Sequence, residues 1–339
     1  MKKSLRWLLW LLILGLSAAA VAIAAAAWWG WKQPLRLQTP VVDYLIDPGT
    51  TPRQIALTMN RAGIRISARG FVWLARLSGR DKLLKAGAYE ARQGDTPWVI
   101  LERMANGDMT QTRLTFPEGW TVAQMRTALD TDPQVRHDTL DLTDAQIAQR
   151  LGLDTSHLEG LFYPDTYVFG PGTSDLDILR RAALAAHQVL DQAWAQRDRS
   201  LPFTDPYQAL ILASIIEKET GLGADRAKIA GVFINRLRLG MPLQTDPSVI
   251  YGLGADYQGR LRKKDLERDT PWNTYTRAGL PPTPIANPGK AALLAALHPD
   301  HHDYLYFVSR GDGTSEFSIT LADHNKAVSK YILNRNTQP

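Results

Sequence analysis

The chain has 339 residues, a formal net charge of +5 and no cysteine. That length accommodates one or two domains with apolar cores of their own, and the missing thiols exclude disulfides, thiol nucleophiles and thiolate metal sites. Lys2, Lys3 and Arg6 supply three of the net charges, and the other Arg residues are scattered among Asp and Glu. The basic stripe with interleaved aromatics that marks a nucleic-acid binder is therefore missing.

From Trp7 to Trp31 the sequence reads WLLWLLILGLSAAAVAIAAAAWWGW, 25 residues without a charge. As a helix at ~1.5 Å per residue it would extend about 37 Å, enough to cross a hydrocarbon core of ~30 Å with some tilt. Trp7 and Trp10 at one end and Trp28, Trp29 and Trp31 at the other suit the two membrane interfaces. Lys2, Lys3 and Arg6 precede the span, so the positive-inside rule predicts a cytoplasmic tail at 1–6, a transmembrane helix at 7–31 and an ectodomain from about residue 33. A cleaved signal peptide is the competing reading, with Ala18-Ala19-Ala20 as a cleavage site. The apolar run exceeds the usual ~7–15 residues of such peptides.

Past the span, Val41-Val42-Asp43-Tyr44-Leu45-Ile46 alternates like a strand. Three segments then open on a Gly-x-Thr pattern, at Gly49-Thr50-Thr51, Gly94-Asp95-Thr96 and Gly119-Trp120-Thr121, each followed by apolar residues four apart. A Thr at the N-cap accepts hydrogen bonds from free helix N–H groups, and Pro52 and Pro97 fall at N1, where no N–H is needed. The predicted unit is strand, Gly turn, short helix, an arrangement that resembles the small βααβ LysM modules. This predicts a LysM-like domain at 41–110. The stretch from Gly107-Asp108 to Phe116 reads as the crossing into a second domain at 111–339.

Helical spacing recurs at Leu140–Gln149 and Asp175–Gln196. Asp205 and Pro206 form the N-cap and N1 of a helix that is apolar from Ala209 to Ile216 except for Ser214, with Gly221 and Gly223 to stop it. Asp225 is the predicted cap of a helix from Arg226 to Leu239, ended by Gly240. Tyr304–Val308 reads as a buried strand and Ala322–Asn334 as a last helix. The fold class is α+β, with helices predominating around the candidate site.

The apolar helix ends in two carboxylates, Glu217 and Glu219. Residues i and i+2 of a helix lie about 200° apart, so both cannot face one substrate. The helix C-terminus carries partial negative charge that opposes acids there. That dipole and desolvation both raise a carboxyl pKa toward a useful proton donor, while Lys218 opposes the shift. A capped or salt-bridged structural Glu is the plainer reading of either residue. Downstream loops, Val232–Gly254 and Thr270–Gly289, are rich in amides, hydroxyls and aromatics, among them Gln244, Thr245, Asp246, Tyr251, Asn273, Tyr275 and Thr276. The segment Glu159–Phe169 adds more. Such side chains suit sugar recognition, although many also serve turns.

Together, EG-x-x-x-PDTY at 159–167, ASIIEKET at 213–220, VFINRL-x-x-GM-x-LQTDP at 232–247, NTY at 273–275, GLPP-x-PI-x-NPG at 279–289 and YLYFV at 304–308 resemble the membrane-anchored endolytic murein transglycosylases, the MltG or YceG-like family. The resemblance spans nearly the whole chain. It implies Glu219 as the catalytic acid with Glu217 in reserve, and Trp272 stands where the family motif has Tyr. It further implies cleavage of the β-1,4 bond between N-acetylmuramic acid and N-acetylglucosamine within nascent strands, leaving 1,6-anhydromuramyl ends, with no cofactor. Gln244, Thr245, Asn273, Tyr275, Thr276, Glu159 and Tyr251 are the candidate glycan-binding residues. Asp246 is either a supporting carboxylate or an Asp-Pro turn. Peptidoglycan strands, the inner membrane and peptidoglycan synthases are the implied partners, with the catalytic domain in the periplasm.

Three other functions compete with this one. The cluster His298-Pro299-Asp300-His301-His302-Asp303 lacks the helical H-x-x-x-H spacing of a metal site and reads as a solvated loop. No Gly-x-Ser-x-Gly elbow exists for a serine hydrolase. A membrane-anchored scaffold that grips peptidoglycan without cutting it is the non-enzymatic alternative.

Overall fold

The computed structural model describes residues 2–219 and 223–333. They divide into two compact units. One comprises the chain up to Arg113 with 133–136 and 168–173, and the other comprises 114–132, 137–167 and the chain from Ser174.

The first unit begins with helix α1 (Lys2–Lys32). Within Trp10–Lys32 an 18-residue stretch has a mean hydropathy of 2.3, so by length and composition the helix can cross a membrane. Strands Val41–Ile46 and Gly87–Arg92 pair antiparallel, with Val41 opposite Arg92 and Ile46 opposite Gly87. Between them lie α2 (Pro52–Arg61) and α3 (Ala68–Leu77), and α4 (Pro97–Asn106) follows. The first strand alternates as a half-buried strand must, sending Val42, Tyr44 and Ile46 inward. There they meet Ile55, Met59, Phe71, Tyr89, Ile100 and Met104 in one core. The last turn of α1 packs closely on α3: a Cβ on Gly30 would lie 2.9 Å from Leu74, and one on Gly70 3.0 Å from Trp29. Trp31 sets its ring edge on Trp98 at 5.8 Å.

The Thr caps form as the Gly-x-Thr pattern predicts. Thr51, Thr96 and Thr121 accept from the N–H groups of Gln54, Val99 and Gln124 at the starts of α2, α4 and α5 (Val122–Thr131). Gln54 and Gln124 reach back to the cap N–H, completing capping boxes.

The second unit continues with α6 (Asp144–Leu151), α7 (Asp175–Ala195), α8 (Pro206–Glu219), α9 (Gly223–Arg238), α10 (Asp246–Leu253), α11 (Lys263–Glu267) and α12 (Lys290–Leu297). A hairpin of Tyr306–Ser309 with Ser315–Ser318 and a helix α13 (Leu321–Val328) close it. A helix that is apolar on every side must be surrounded, and α8 is: Ala209 to Ile216 are all buried, with α7, α9, α10 and α12 packed around it. Its one serine is also accounted for. Ser214 Oγ donates to Ile211 O at 2.7 Å and accepts from Ile285 N at 3.0 Å, which pins a proline-rich loop to the helix.

Several boundaries differ from the sequence expectation. Helix α6 starts at Asp144 rather than Leu140, because Thr143 caps it through Gln146. Helix α9 starts at Gly223, so Asp225 sits inside the first turn and accepts from Ser315 N instead of capping. The strand runs Tyr306–Ser309 and is half-buried, and the last α-helix gives way to a π turn at Ser329–Leu333. Gly221 and Asn334, the expected helix stop and last helical residue, lie outside the described residues.

Ile216 is fully buried at the tightly packed end of α8, so Ile216→Ala is expected to destabilise by about 2–5 kcal/mol. Thr121→Ala, which loses one cap, is expected to cost about 1 kcal/mol. Urea unfolding of the two variants beside the parent checks both the order and the size.

Candidate active site

The two carboxylates that end α8 have different surroundings. Glu217 Oε2 accepts from Gly289 N at 2.9 Å, and its Oε1 lies 3.6 Å from Arg226 Nη2, with the side chain only 7% exposed. Gly289 is the N-cap of α12, so Glu217 supplies the anion that a helix start favours. A Cβ at Gly289 would meet the Glu118 carboxylate, so any larger residue there would have to displace that side chain. Lys218 reaches away to Gly119 O.

Glu219 is partly buried, and among the described residues no hydrogen bond or ion pair engages its carboxylate. Burial pushes its pKa up to about 7, the neighbouring Asp246 charge acts in the same direction, and Arg236 opposes both. The helix geometry that separates i from i+2 has left one acid engaged in structure and the other protonatable near neutrality.

Arg236, on the buried face of α9, organises the loop beside Glu219. Its Nε donates to Leu305 O at 2.7 Å and its Nη1 to Leu243 O at 2.9 Å, Pro242 O at 3.2 Å and Gln244 Oε1 at 3.3 Å. Gln244 has φ +54°, the one positive φ among described non-glycine residues, a conformation that side chains other than Gly and Asn seldom adopt. It is held there also by its N–H to Thr274 O at 3.0 Å. Thr245 is buried and donates its N–H to Thr274 Oγ1, while its own Oγ1 is buried without a partner. Asp246 opens α10, exposed, and accepts from Tyr275 OH at 2.6 Å. Burial and that acidic partner both raise the Tyr275 phenol pKa, so it remains a donor.

The other candidates have structural partners. Asn273 is fully buried: its Nδ2 donates to Leu266 O and Arg268 O, and its Oδ1 accepts from Tyr275 N at 2.9 Å. Its amide thus fixes the turn that presents Tyr275. Thr276 is exposed and donates to Asp269, which also pairs with Arg277. Glu159 is 7% exposed and accepts from Val122 N at 3.1 Å, Asn287 Nδ2 at 3.1 Å and Tyr251 OH at 3.2 Å. Burial nevertheless carries its pKa up to about 7 against those donors. Tyr251 stands edge-on to Trp272 at 5.5 Å, and Trp272 donates to Thr283. Apart from Glu217 and Thr276, the predicted residues form two groups. Glu219, Gln244, Thr245, Asp246, Asn273 and Tyr275 gather with Arg236, whereas Glu159 and Tyr251 join Asn287.

Sequence reading missed Arg236 and Asn287. A cation in the apolar run of α9 was a usable signal, since a buried guanidinium must find acceptors. Asn287 had no comparable signal; it also accepts from Phe162 N, bonding segments far apart in the chain. Of the histidines read as a loop, His302 bonds Lys228 O and Tyr304 N, and His301 lies 3.5 Å from Asp198. Asp130, His137 and Asp175 also place ligand atoms within 4.8 Å of one another. Asp175, however, already accepts from Asp138 N, Thr139 N, Thr139 Oγ1 and Leu176 N.

The profile of the YceG-like family matches residues 44–330. The chain is 33% identical to the endolytic murein transglycosylase of Bacillus subtilis (strain 168) over 313 residues, covering 87% of this chain and 86% of that one. It is 25% identical to the endolytic murein transglycosylase of Streptococcus pneumoniae serotype 2 (strain D39 / NCTC 7466), with 91% of this chain and 63% of that one aligned. A crystal structure of a yceG-like protein from Listeria monocytogenes superposes with a TM-score of 0.54 at 32% identity, over 85% of this chain and 99% of that one. The family resemblance read from the motifs is borne out.

Glu159 joins three donors, so Glu159→Ala leaves several buried polar groups unpaired and is expected to cost about 3 kcal/mol or more. Glu159→Gln retains one acceptor and mimics the protonated acid, and should cost much less. Thermal melting of both variants at pH 6 checks the order.

Proposed function

Because the chain belongs to the YceG-like family, we propose that it is an endolytic peptidoglycan lytic transglycosylase in which Glu219 is the single acid and base. The observation that carries this reading is the Glu219 carboxyl, without a hydrogen-bond or ion-pair partner among the described residues and with its pKa raised to about 7. Its neighbour Glu217 is held by Gly289 and Arg226. Hydrolytic glycosidases use two carboxylates to handle water or a covalent intermediate, whereas intramolecular attack needs one.

Glu219 donates its proton to the β-1,4 oxygen between N-acetylmuramic acid and N-acetylglucosamine, and the C1–O bond breaks. The resulting carboxylate takes the proton of the muramyl C6 hydroxyl, O6 bonds to C1, and a 1,6-anhydro ring closes. Glu219 ends protonated and no water is consumed. Burial and Asp246 favour the protonated form of Glu219 beforehand, and Asp246 stabilises positive charge developing at C1. Tyr275 orients Asp246 by its hydrogen bond, and Asn273 orients Tyr275. Gln244, Thr245 and Thr276 are assigned to glycan positioning, with Tyr251 and Glu159 supporting the loop behind them.

The same reading makes α1 a single-pass inner-membrane anchor with a cytoplasmic N-terminus and the remainder periplasmic. Residues 41–110 are assigned as LysM-like, supported by their strand–helix–helix–strand order. Residues 111–339 are the catalytic domain, and peptidoglycan synthases are partners by family expectation.

Purified full-length protein incubated with peptidoglycan should yield anhydromuramyl ends by mass spectrometry. Glu219→Gln should lose about 10²–10⁴-fold in rate while still binding glycan. Glycan binding by the parent without anhydro ends would instead establish the scaffold alternative.

Two pH readouts follow from the raised pKa. Glu219 must start protonated, so kcat/KM should fall as pH rises through about 7. Asp246→Asn removes a cause of that rise and should move the falling limb to lower pH. Because the folded pKa of Glu219 exceeds its unfolded value, ionisation weakens the fold as pH rises through that window. Glu219→Gln should therefore melt higher than the parent at pH 8 and level with it at pH 4.

A further inference from the structure

Helix α3 carries an exposed face that the core of the first unit does not use. Phe71, Leu74 and Ala75 are buried, whereas Trp73 is 63% and Leu77 52% exposed. Arg69 and Arg76 are exposed as well. Positions 69, 73, 76 and 77 fall on one helical stripe, so a tryptophan and a leucine are flanked by two guanidinium groups. Alongside, Ala19, Ala22, Ile23 and Ala26 of α1 form the other wall of an apolar groove with Trp73 and Leu77.

We infer that α3 is a second bilayer contact, lying in the headgroup–acyl boundary with Trp73 and Leu77 turned to lipid. This rests on the reading of α1 as a membrane anchor. The occupant follows from continuity, because one wall of the groove is the anchor itself, exposed and uncharged from Leu11 to Ala25. Wherever that wall is in lipid, the facing wall is too. The junction is close-packed, with Gly30 against Leu74, Trp29 against Gly70 and Trp31 against Trp98. Helix α3 is therefore fixed beside the emerging span.

The composition suits that depth. Indole rings favour the interface, and Arg stems cover apolar surface while their charged ends reach phosphate. In water the same patch would be a contiguous apolar surface of the kind that soluble proteins avoid.

The chain has no cysteine, so single nitroxide labels can be placed without background. Full-length protein carrying Trp73→Cys, Leu77→Cys, Val21→Cys or Val41→Cys is labelled and reconstituted in nanodiscs of phosphatidylethanolamine and phosphatidylglycerol. Collision with oxygen is then compared with collision with a water-soluble nickel chelate. Labels at 73 and 77 should favour oxygen, as at 21 in the span, while 41 on the strand favours nickel. The variant at 77 retains Trp73 and guards against loss of that ring. If 73 and 77 behave like 41 while 21 stays in lipid, the inference fails and the anchor stands. If 21 also favours nickel, the anchor reading fails and the inference with it. Spin–spin broadening at 73 would mean that a second copy fills the groove, which also overturns it.

Discussion

Everything at the candidate site depends on one helical constraint: two carboxylates two residues apart at the end of a fully buried helix must face different ways. Helix α8 cannot rotate to relieve this, because Ala209 to Ile216 are buried on every side. Acids are disfavoured at a helix C-terminus, so each needs either compensation or a reason to remain uncharged. Glu217 is compensated by the start of a second helix and a guanidinium. Glu219 instead has burial and the nearby Asp246 charge, which together raise its pKa to about 7.

Arg236 limits how far that imbalance goes. Its N–H groups point at the carbonyls of Leu305, Leu243 and Pro242, so its charge is felt at Glu219 without a bond that would fix the carboxylate as an anion. A direct ion pair would draw the pKa back down and remove the acid. The same guanidinium holds Gln244 in its left-handed conformation. One buried cation therefore holds the shape of the loop and also moderates the pKa of the residue beside it, from the buried face of α9.

Features set by local chemistry were legible in the sequence. Three Thr caps, the long α7, the buried α8 and the alternating strand at Val41–Ile46 all rest on interactions within a few residues. The roles of the individual polar residues were not legible in the same way. Glu217 is separated from Gly289 by 72 residues and Glu159 from Asn287 by 128, so no periodicity connects them. Asn273 was expected to meet glycan from composition alone, and the structure shows its amide fully used inside its own loop. Asp225 failed as a cap for a similar reason: a strand N–H ninety residues away claims it.

A raised pKa does not by itself identify a proton donor, and Glu159 shows why. Burial brings it to about 7, the same value as Glu219. Yet Glu159 is enclosed by Val122, Asn287 and Tyr251, each of which donates to it. Ionisation there would only strengthen bonds that already hold the loop. Glu219 ends a helix, is partly open, and has no described partner that would have to be displaced. Two glutamic acids whose pKa values are both raised to about 7 are thus separated by their surroundings: one carries its shift inside a hydrogen-bonded cluster, and the other carries it on a partly open carboxyl without a described partner.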